Sequence, residues 1–498
     1  MKRIAIIGGG ISGLTAAYEL ELARKRGVDI DWHLYEASDR LGGIIETTRR
    51  ATPEGEYILE SGPDGWVSEK PWARELAIEL GLESELIYSN DATRKTYILK
   101  TSEAGENIAG KLQPVPDRMR MMVPEDLSAL DGSPLFSASA KQAYANEITR
   151  AEELKAQAPT HDESVASFVR RHFGDEVLDT LAAPLLSGVF GGDVHKLSVR
   201  AVMPQFVATE REHGSLVAAL QSRQRTITLP IFTSLKNGMA SLVEALVEAL
   251  PPDRIHRNQC AYEVDLDVEE WYVDFMAPQD RTMWRRLTSV IPYWNDLIFA
   301  TPLDEIRRLL IELDPYGSPL IRSDSSFLAL TPTEASSAIL VAFAWTGDQA
   351  SAFTIPSGFG FLVPQGLGGE QQLLACTFVD QKFPYRAPEG ARVMRAFFGG
   401  NSAESLSSQS DEEVAKRALT QLRSILGPIP EPSFHTVRRW PRSLPQYEVR
   451  HLDRIAELER LVEQTPGLHL LGNSYRGVGI PDLIRDARAT ARAISATV

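Results

Sequence analysis

The chain has 498 residues, 43% hydrophobic and 24% charged, with a mean hydropathy of −0.17. This is the composition of a soluble globular protein with room for two or three domains. Its 52 Lys and Arg against 67 Asp and Glu leave a formal charge of −15, which disfavours general nucleic-acid binding, because neutralising phosphates takes a basic surface. Two distant cysteines, Cys260 and Cys376, exclude a disulfide scaffold, a Cys-rich zinc site and a CxxC redox pair. No apolar run reaches the ~18 residues of a spanning helix. No cleavage pattern follows the apolar start, so it reads as part of the fold and the cytoplasm is the expected compartment.

Residues 3–7 form a short apolar run that predicts a buried strand. Gly8, Gly10 and Gly13 follow as G-x-G-x-x-G, with Ile11 and Ser12 between them at the start of a predicted helix over 14–22. A second predicted strand, 31–36, ends in Glu36. Strand, glycine turn, helix, strand and acid in this order match the dinucleotide-binding fingerprint. Gly8 permits the turn, Gly10 lets backbone approach a pyrophosphate, Gly13 lets helix meet strand, and Glu36 accepts from ribose hydroxyls. Residues 68–81 predict a helix, 103–137 a Pro/Gly/Met-rich loop, and 138–222 mainly helices with a glycine-rich stretch at 188–192. Packing is as good a reading of Met119, Met121 and Met122 as any membrane role. A helix opens after Asn237-Gly238-Met239, and strands are expected over 261–275, 297–302 and the runs AILVAFAW, GFGFLVP and LLACTFVD. Near the end, a strand over 467–472 leads through NSYRGVG into a helix running from Ile480 to about Ile494, with Pro481 and Asp482 as start signals. His161, His172, His195 and His213 have no metal-ligand spacing, so no metal site is expected; they read as surface or satisfied histidines.

Arg40, Gly42 and Gly43 form R-x-G-G directly after Glu36, and 60–65 reads ESGPDG, with Gly62 and Pro63 at its centre. These two segments resemble the second cofactor fingerprint and the isoalloxazine-side loop of the FAD-containing amine-oxidase superfamily. No second G-x-G-x-x-G is present, so oxygen or a quinone is the expected electron acceptor rather than a bound nicotinamide. LLSGVFGGDVHKLS, PSGFGFLVP, RWPRSLPQYEVRH and GNSYRGVGIPD narrow the resemblance, over nearly the whole chain, to the oxygen-dependent porphyrinogen oxidases of haem synthesis. The segment 259–295, rich in Trp, Arg and Asp (EEWYVDF, TMWRRL), departs from that pattern.

The resemblance implies an α/β architecture with α+β elements: a Rossmann-type FAD domain, a mixed-sheet substrate domain and a helical insertion. The expected pieces are 1–90, 226–302 and 436–498 for the FAD domain, 91–114 and 303–435 for the substrate domain, and 115–225 for the insertion. It adds Thr301, Gly472, Gly479 and Ile480 to the FAD-site candidates, with the last helix aimed at the flavin N1–C2=O edge. It adds Arg94, Gly188 and Phe359 as substrate-site candidates, Arg94 pairing with a propionate. The implied reaction is the six-electron aromatisation of a porphyrinogen with release of hydrogen peroxide, by hydride transfer to flavin N5. No residue is nominated as a general base. Protoporphyrinogen IX is the leading substrate and coproporphyrinogen III the alternative; an amine oxidase, a lipid desaturase and a flavin-bound scaffold are further readings. A homodimer, peripheral membrane contact through 114–135 and hand-over to a ferrochelatase are among the partners the resemblance allows.

Overall fold

The computed structural model describes residues 1–100, 111–222, 229–267, 270–276, 293–311, 329–365 and 373–498. At its centre, β1 (Lys2–Ile7) lies between β2 (Ile30–Tyr35) and the strand Asp296–Phe299. Ile255–His256 and Leu468–Leu470 complete a five-stranded sheet, and every pairing in it is parallel. Such a sheet is covered on both faces, which is why Ile4, Ala5, Ile6 and Ile7 are apolar without alternation.

One cover is α1 (Ile11–Lys25) packed on the C-terminal helix Ile480–Ser495. The Glu-Leu-Glu stretch of α1 is not a solvated face. The Glu21 carboxylate accepts from Arg24 at 2.9 Å and from the Trp32 indole at 3.1 Å. Glu19 pairs with Arg488 and Arg492 across the helix–helix contact, at 3.2 and 3.0 Å. Charges placed inside an interface must be paired in this way or they destabilise it.

A mixed seven-stranded sheet forms the second layer. Thr96–Lys100 runs parallel to Gly360–Leu362, and the other pairings are antiparallel. In Ala335–Trp345 every residue from Ile339 onward is buried. Ile339, Val341, Phe343 and Trp345 share a core with the helix Asp411–Leu426. Leu340, Ala342 and Ala344 point the other way, onto Tyr57 and Leu59 of the strand Gly55–Glu60. The period of two is kept, but both faces are dry.

Helices Ala138–Thr149, Val165–Phe173, Ala183–Phe190, Pro204–His213 and Leu216–Ser222 enclose a third core around Phe168, Phe173, Leu178 and Leu186. Met122, Val123, Leu130 and Leu135 join this core, with Val115, Met119 and Leu127 packed against it, so most of the apolar side chains of 114–135 turn inward. Met121, 37% exposed, is the exception among the three methionines. Among the described residues no helix is long and apolar enough to cross a membrane.

Several elements are shorter than their sequence pattern: the strand expected over 297–302 ends at Phe299, that over 467–472 is Leu468–Leu470, and GFGFLVP is a strand only at Gly360–Leu362. The helix expected over 68–81 is confined to Trp72–Glu79, because Pro71 bars Lys70 from helical backbone and Trp66–Val67 pairs as a strand with Phe232–Leu235. The run LLACTFVD is a strand only at Ala375–Phe378, then turns into a short helix, Val379–Lys382. The EWYVDF part of EEWYVDF lies in the strand Glu270–Met276, paired antiparallel with Cys260–Asp267, and its first Glu lies outside the described residues. TMWRRL and residues 103–110 lie outside the described residues, as does the expected boundary at 225/226.

Candidate functional site

The carboxyl ends of β1, β2 and Asp296–Phe299 open onto a cavity of about 450 Å³. Gly8, Gly10, Ile11 and Ser12 line it beside Glu36, Arg40, Gly42, Gly43, Thr301 and Gly472, so ten of the fifteen expected cofactor residues meet there. Sequence separates Gly472 from Gly8 by most of the chain; the parallel sheet, by pairing Leu468–Leu470 onto Asp296–Phe299, brings them to one rim.

The glycines fall into two kinds. A Cβ on Gly13 would lie 2.0 Å from the Gly8 carbonyl oxygen, and one on Gly8 (φ +110°) 2.5 Å from that of Ala300. These two are required by the fold itself. Gly10 has φ −75°, open to any residue, and a Cβ there would meet only the Gly43 Cα at 3.9 Å. Space is therefore kept at Gly10 that the protein's own packing does not need, directly over the first turn of α1. That turn has no side-chain cap and no acidic residue. Its free N–H groups and dipole suit an anion such as a pyrophosphate. Thr301 adds a buried hydroxyl with no hydrogen-bond partner at the cavity wall. The residues present thus fit a dinucleotide.

Glu36 does two things at once. One carboxylate oxygen accepts from the Gly9 N–H at 2.8 Å, and the other accepts from the Ser38 N–H at 2.9 Å and its hydroxyl at 2.8 Å. It shapes the glycine turn as well as lining the cavity. Arg40 turns its guanidinium to the carbonyls of Leu41 (3.2 Å), Ile45 (2.9 Å) and Gly43, so its role is to fix the loop that carries Gly42 and Gly43. That loop bridges to the turn through Gly42 N–H to Gly9 O at 2.8 Å.

Gly62 and Pro63 stand one layer behind the wall. A Cβ on Gly62 would lie 1.8 Å from the carbonyl oxygen of Ile44, which lines the cavity. The carbonyls of this loop are held from several sides: Ser61 O accepts from the Trp440 indole at 2.6 Å, Gly62 O from Arg395, and Asp64 O from Ser234 Oγ at 2.6 Å. Asp64 is caught between Lys382 at 3.0 Å and Arg395 at 3.1 Å. Burial pushes its carboxyl up, but the two cations outweigh burial and hold it well below the usual carboxylate range. Burial also pushes the Glu60 carboxyl up, against the pull of Arg386 at 3.1 Å. Sequence reading missed Trp440, Arg395 and Lys382. They lie more than 300 residues from their partners, and although Trp440 falls in the quoted RWPRSLPQYEVRH segment, nothing local marks its contact with Ser61.

At the far end, residues 473–479 are pinned by Tyr447, whose hydroxyl donates to Asn473 O at 2.6 Å and accepts from the Gly477 N–H at 2.9 Å. His451 stacks on Tyr447 and meets Tyr475 O at 2.8 Å; burial pushes this imidazole down to about 4. Gly472 (φ +135°), Asn473 and Ser474 reach the cavity, and so does Leu483, whereas Gly479 and Ile480 are not among its lining residues. The first turn of the last helix already carries a buried carboxylate, Asp482, paired with Lys70 at 2.5 Å.

Arg94, Gly188 and Phe359 gather elsewhere, around the strand pair Thr96–Lys100 and Gly360–Leu362. The Phe359 N–H donates to Lys95 O at 2.7 Å, next to Arg94. A Cβ on Gly188 would lie 3.2 Å from a Leu362 methyl. Arg94 is half-buried and has no ion pair among the described residues. None of the three lines the cavity. The helix carrying Gly188 reaches toward it through Gln446, whose amide donates to Phe190 O at 2.9 Å, one residue past the cavity-lining Pro445.

The family model for flavin containing amine oxidoreductases matches residues 11–495. A coproporphyrinogen III oxidase of Bacillus subtilis (strain 168) is 31% identical, over 98% of this chain and 97% of its own. A chloroplastic protoporphyrinogen oxidase of Oryza sativa subsp. japonica is 27% identical, over 98% of this chain and 87% of its own. The crystal structure of a protein assigned as a protoporphyrinogen oxidase from Exiguobacterium sp. 255-15 superposes with a TM-score of 0.82 at 29% identity, covering 100% of this chain and 99% of that one.

Proposed function

The chain belongs to the flavin containing amine oxidoreductase family, in its porphyrinogen oxidase branch, and from that premise we propose that it oxidises coproporphyrinogen III to coproporphyrin III. The observation that carries the substrate is the 31% identity, over nearly all of both chains, to a coproporphyrinogen III oxidase, against 27% to the plant protoporphyrinogen oxidase. The sequence motifs alone put protoporphyrinogen IX first; the whole-chain comparison supports the alternative better.

In this reading the cavity holds FAD. The uncapped first turn of α1 and the space over Gly10 take the pyrophosphate, and Glu36 offers its remaining acceptor capacity to the ribose. Arg40 keeps the Gly42–Gly43 backbone in place, and the 61–64 loop, braced by Trp440 and Arg395, sets the wall on the flavin side. FAD when bound supplies two-electron acceptance, used three times per porphyrinogen, with three oxygen molecules reduced to three hydrogen peroxides. The chain's own part is to bind, orient and exclude water. Arg94 supplies the cation for a propionate: its guanidinium has no carboxylate partner among the described residues, and a bidentate pair would fix orientation as well as affinity.

The test is to purify the protein aerobically, release its cofactor by heat, and follow porphyrin fluorescence and peroxide with both porphyrinogens. FAD in the supernatant and faster turnover of coproporphyrinogen III are expected. FAD-loaded protein that converts neither porphyrinogen would overturn the reading; faster turnover of protoporphyrinogen IX would overturn the substrate.

A further inference from the structure

The charges behind the 61–64 loop do not balance. Arg386, Lys382 and Arg395 face Glu60 and Asp64, three cations against two carboxylates. All five are largely or fully shielded from water: the Arg386–Glu60 pair is 0% exposed on both sides and Arg395 is 3% exposed. The groups that complete the cluster are neutral. Ser234 accepts from Arg386, and Phe383 and Phe397 lie under the guanidinium groups of Arg386 and Arg395. Asp380, on the same short helix as Lys382, turns away and accepts from the Val393 N–H at 3.1 Å. A buried ion pair is not in itself a stabilising device.

Its position is specific. Arg395 donates to Gly62 O, Gly62 rests on Ile44, and Ile44 lines the cavity; Ser61 is tied to Trp440, which lines the same cavity. Two residues of protein, Gly62 and Ile44, separate Arg395 from the space assigned to the redox cofactor.

We propose that Arg395 is a positioning residue that fixes the 61–64 loop against the cofactor and, with Lys382 and Arg386, places one uncompensated buried positive charge behind it that raises the cofactor's reduction potential. The proposal rests on the FAD reading above. Reduction of a flavin adds negative charge, and a positive charge in a dry environment favours the state that carries it, because little solvent screens the interaction. Asp64 then has a second effect: it orders the cations and moderates their charge.

The experiment compares wild type with Arg395→Met, Arg395→Lys, Lys382→Met and Asp64→Asn. FAD content and dissociation constant are measured first, then the two-electron potential of the bound flavin. Arg395→Met and Lys382→Met are expected to shift the potential negative, Asp64→Asn positive. Arg395→Lys is expected to restore most of the potential while weakening FAD binding, because it returns the charge without the planar fork that reaches both Gly62 O and Asp64. Should Arg395→Met not hold FAD, Lys382→Met decides, since it leaves the Gly62 contact intact. Potentials within error of wild type in FAD-loaded Lys382→Met overturn the proposal and leave the FAD reading standing. A shift of the same sign in Lys382→Met and Asp64→Asn also overturns it, since a merely structural role would produce that. Wild-type protein that binds no FAD removes the reading and the proposal together.

Discussion

The cofactor cradle and the helical region at 138–222 are built by opposite means. The cradle is made of backbone: glycines without side chains, uncapped N–H groups and a turn held by Glu36. The helical region is held by side chains, and at its centre lies a buried ionic cluster. His172 sits between Glu147 at 3.0 Å and Glu210 at 3.1 Å, and the side chains of that histidine and Glu147 are 0% exposed. Glu147 also accepts from the N–H of Leu216 at 2.6 Å, and Arg171 bridges Glu210 to Glu163. One carboxylate, one imidazole and a second carboxylate tie together three helices and the start of a fourth. The glycine-lined cavity is built from what the chain lacks, whereas the helical core is held by paired side chains.

The contrast predicts where each region breaks. The largest effect is expected for Glu147→Ala, which leaves His172 with one carboxylate and strands the Ser215 hydroxyl and the Leu216 N–H. Removing one partner of a buried ion pair costs about 3–5 kcal/mol. Thermal unfolding with limited proteolysis should show residues 138–222 opening first, with FAD still bound. Loss of FAD in parallel with that opening would break the comparison.

Next come two glycines with opposite fates. Gly13→Ala forces a methyl to 2.0 Å from the Gly8 carbonyl, a backbone clash that no rotamer relieves, and should cost about 1–3 kcal/mol of stability. Gly10→Ala should cost less than about 1 kcal/mol, the difference between Gly and Ala at an N-cap, yet weaken FAD binding about tenfold or more. Melting curves of the apoprotein and FAD titrations separate the two. Equal losses of stability would show that Gly10 also serves the fold.

These regions differed equally in how far the sequence revealed them. The cradle was readable because its requirements are local: Gly8, Gly10, Gly13 and Glu36 span one strand–turn–helix–strand unit, and Arg40, Gly42 and Gly43 follow at once. What remained hidden was the role of Arg40, whose guanidinium is consumed by its own loop's carbonyls. The network behind Gly62 was illegible because Asp64 meets Arg395 only after the seven-stranded sheet has formed. His172 was readable only as a surface or satisfied histidine. Its partners lie 25 and 38 residues away on other helices, and no spacing rule joins them. The shortened helix Trp72–Glu79 is a different case: Pro71 announced a boundary that the apolar pattern concealed.

Arg94 tests the substrate site proposed at the edge of the helical region, since the strand pair beside it meets the helix carrying Gly188. Arg94→Ala should weaken porphyrinogen binding by about 1.5–3 kcal/mol, the range for hydrogen bonds to charged groups, and raise KM accordingly. FAD content and melting temperature should not change. An unaltered KM and kcat would remove Arg94 from the substrate site, and assays with both porphyrinogens would show which depends on it more.

The smallest expected effect is the pH dependence of the helical region, and its sign follows from the geometry. Burial lowers the affinity of the His172 imidazole for a proton, but its hydrogen bonds to Glu147 and Glu210 outweigh burial and raise it above the ordinary value. Arg171, also on this cluster, answers Glu163 and Glu210, sharing with His172 the same Glu210 oxygen. The folded state therefore holds this proton more tightly than the unfolded chain, whose histidines titrate near about 6.5. The resulting stabilisation is complete below that value and is lost as pH rises through the folded one. Glu210 works in the opposite direction. Burial pushes its carboxyl up, His172 and Arg171 bring it below its ordinary value, and its contribution is present in neutral solution and lost in acid. The ionic clamp is thus firmest in weakly acidic to neutral solution. Melting curves of wild type and His172→Gln across neutral to alkaline pH should converge as pH rises, while FAD retention, set by a cradle of backbone groups, should show no matching change. A gap between the two proteins that stays constant or widens with pH would mean that His172 is neutral in the folded state and that the clamp is not ionic.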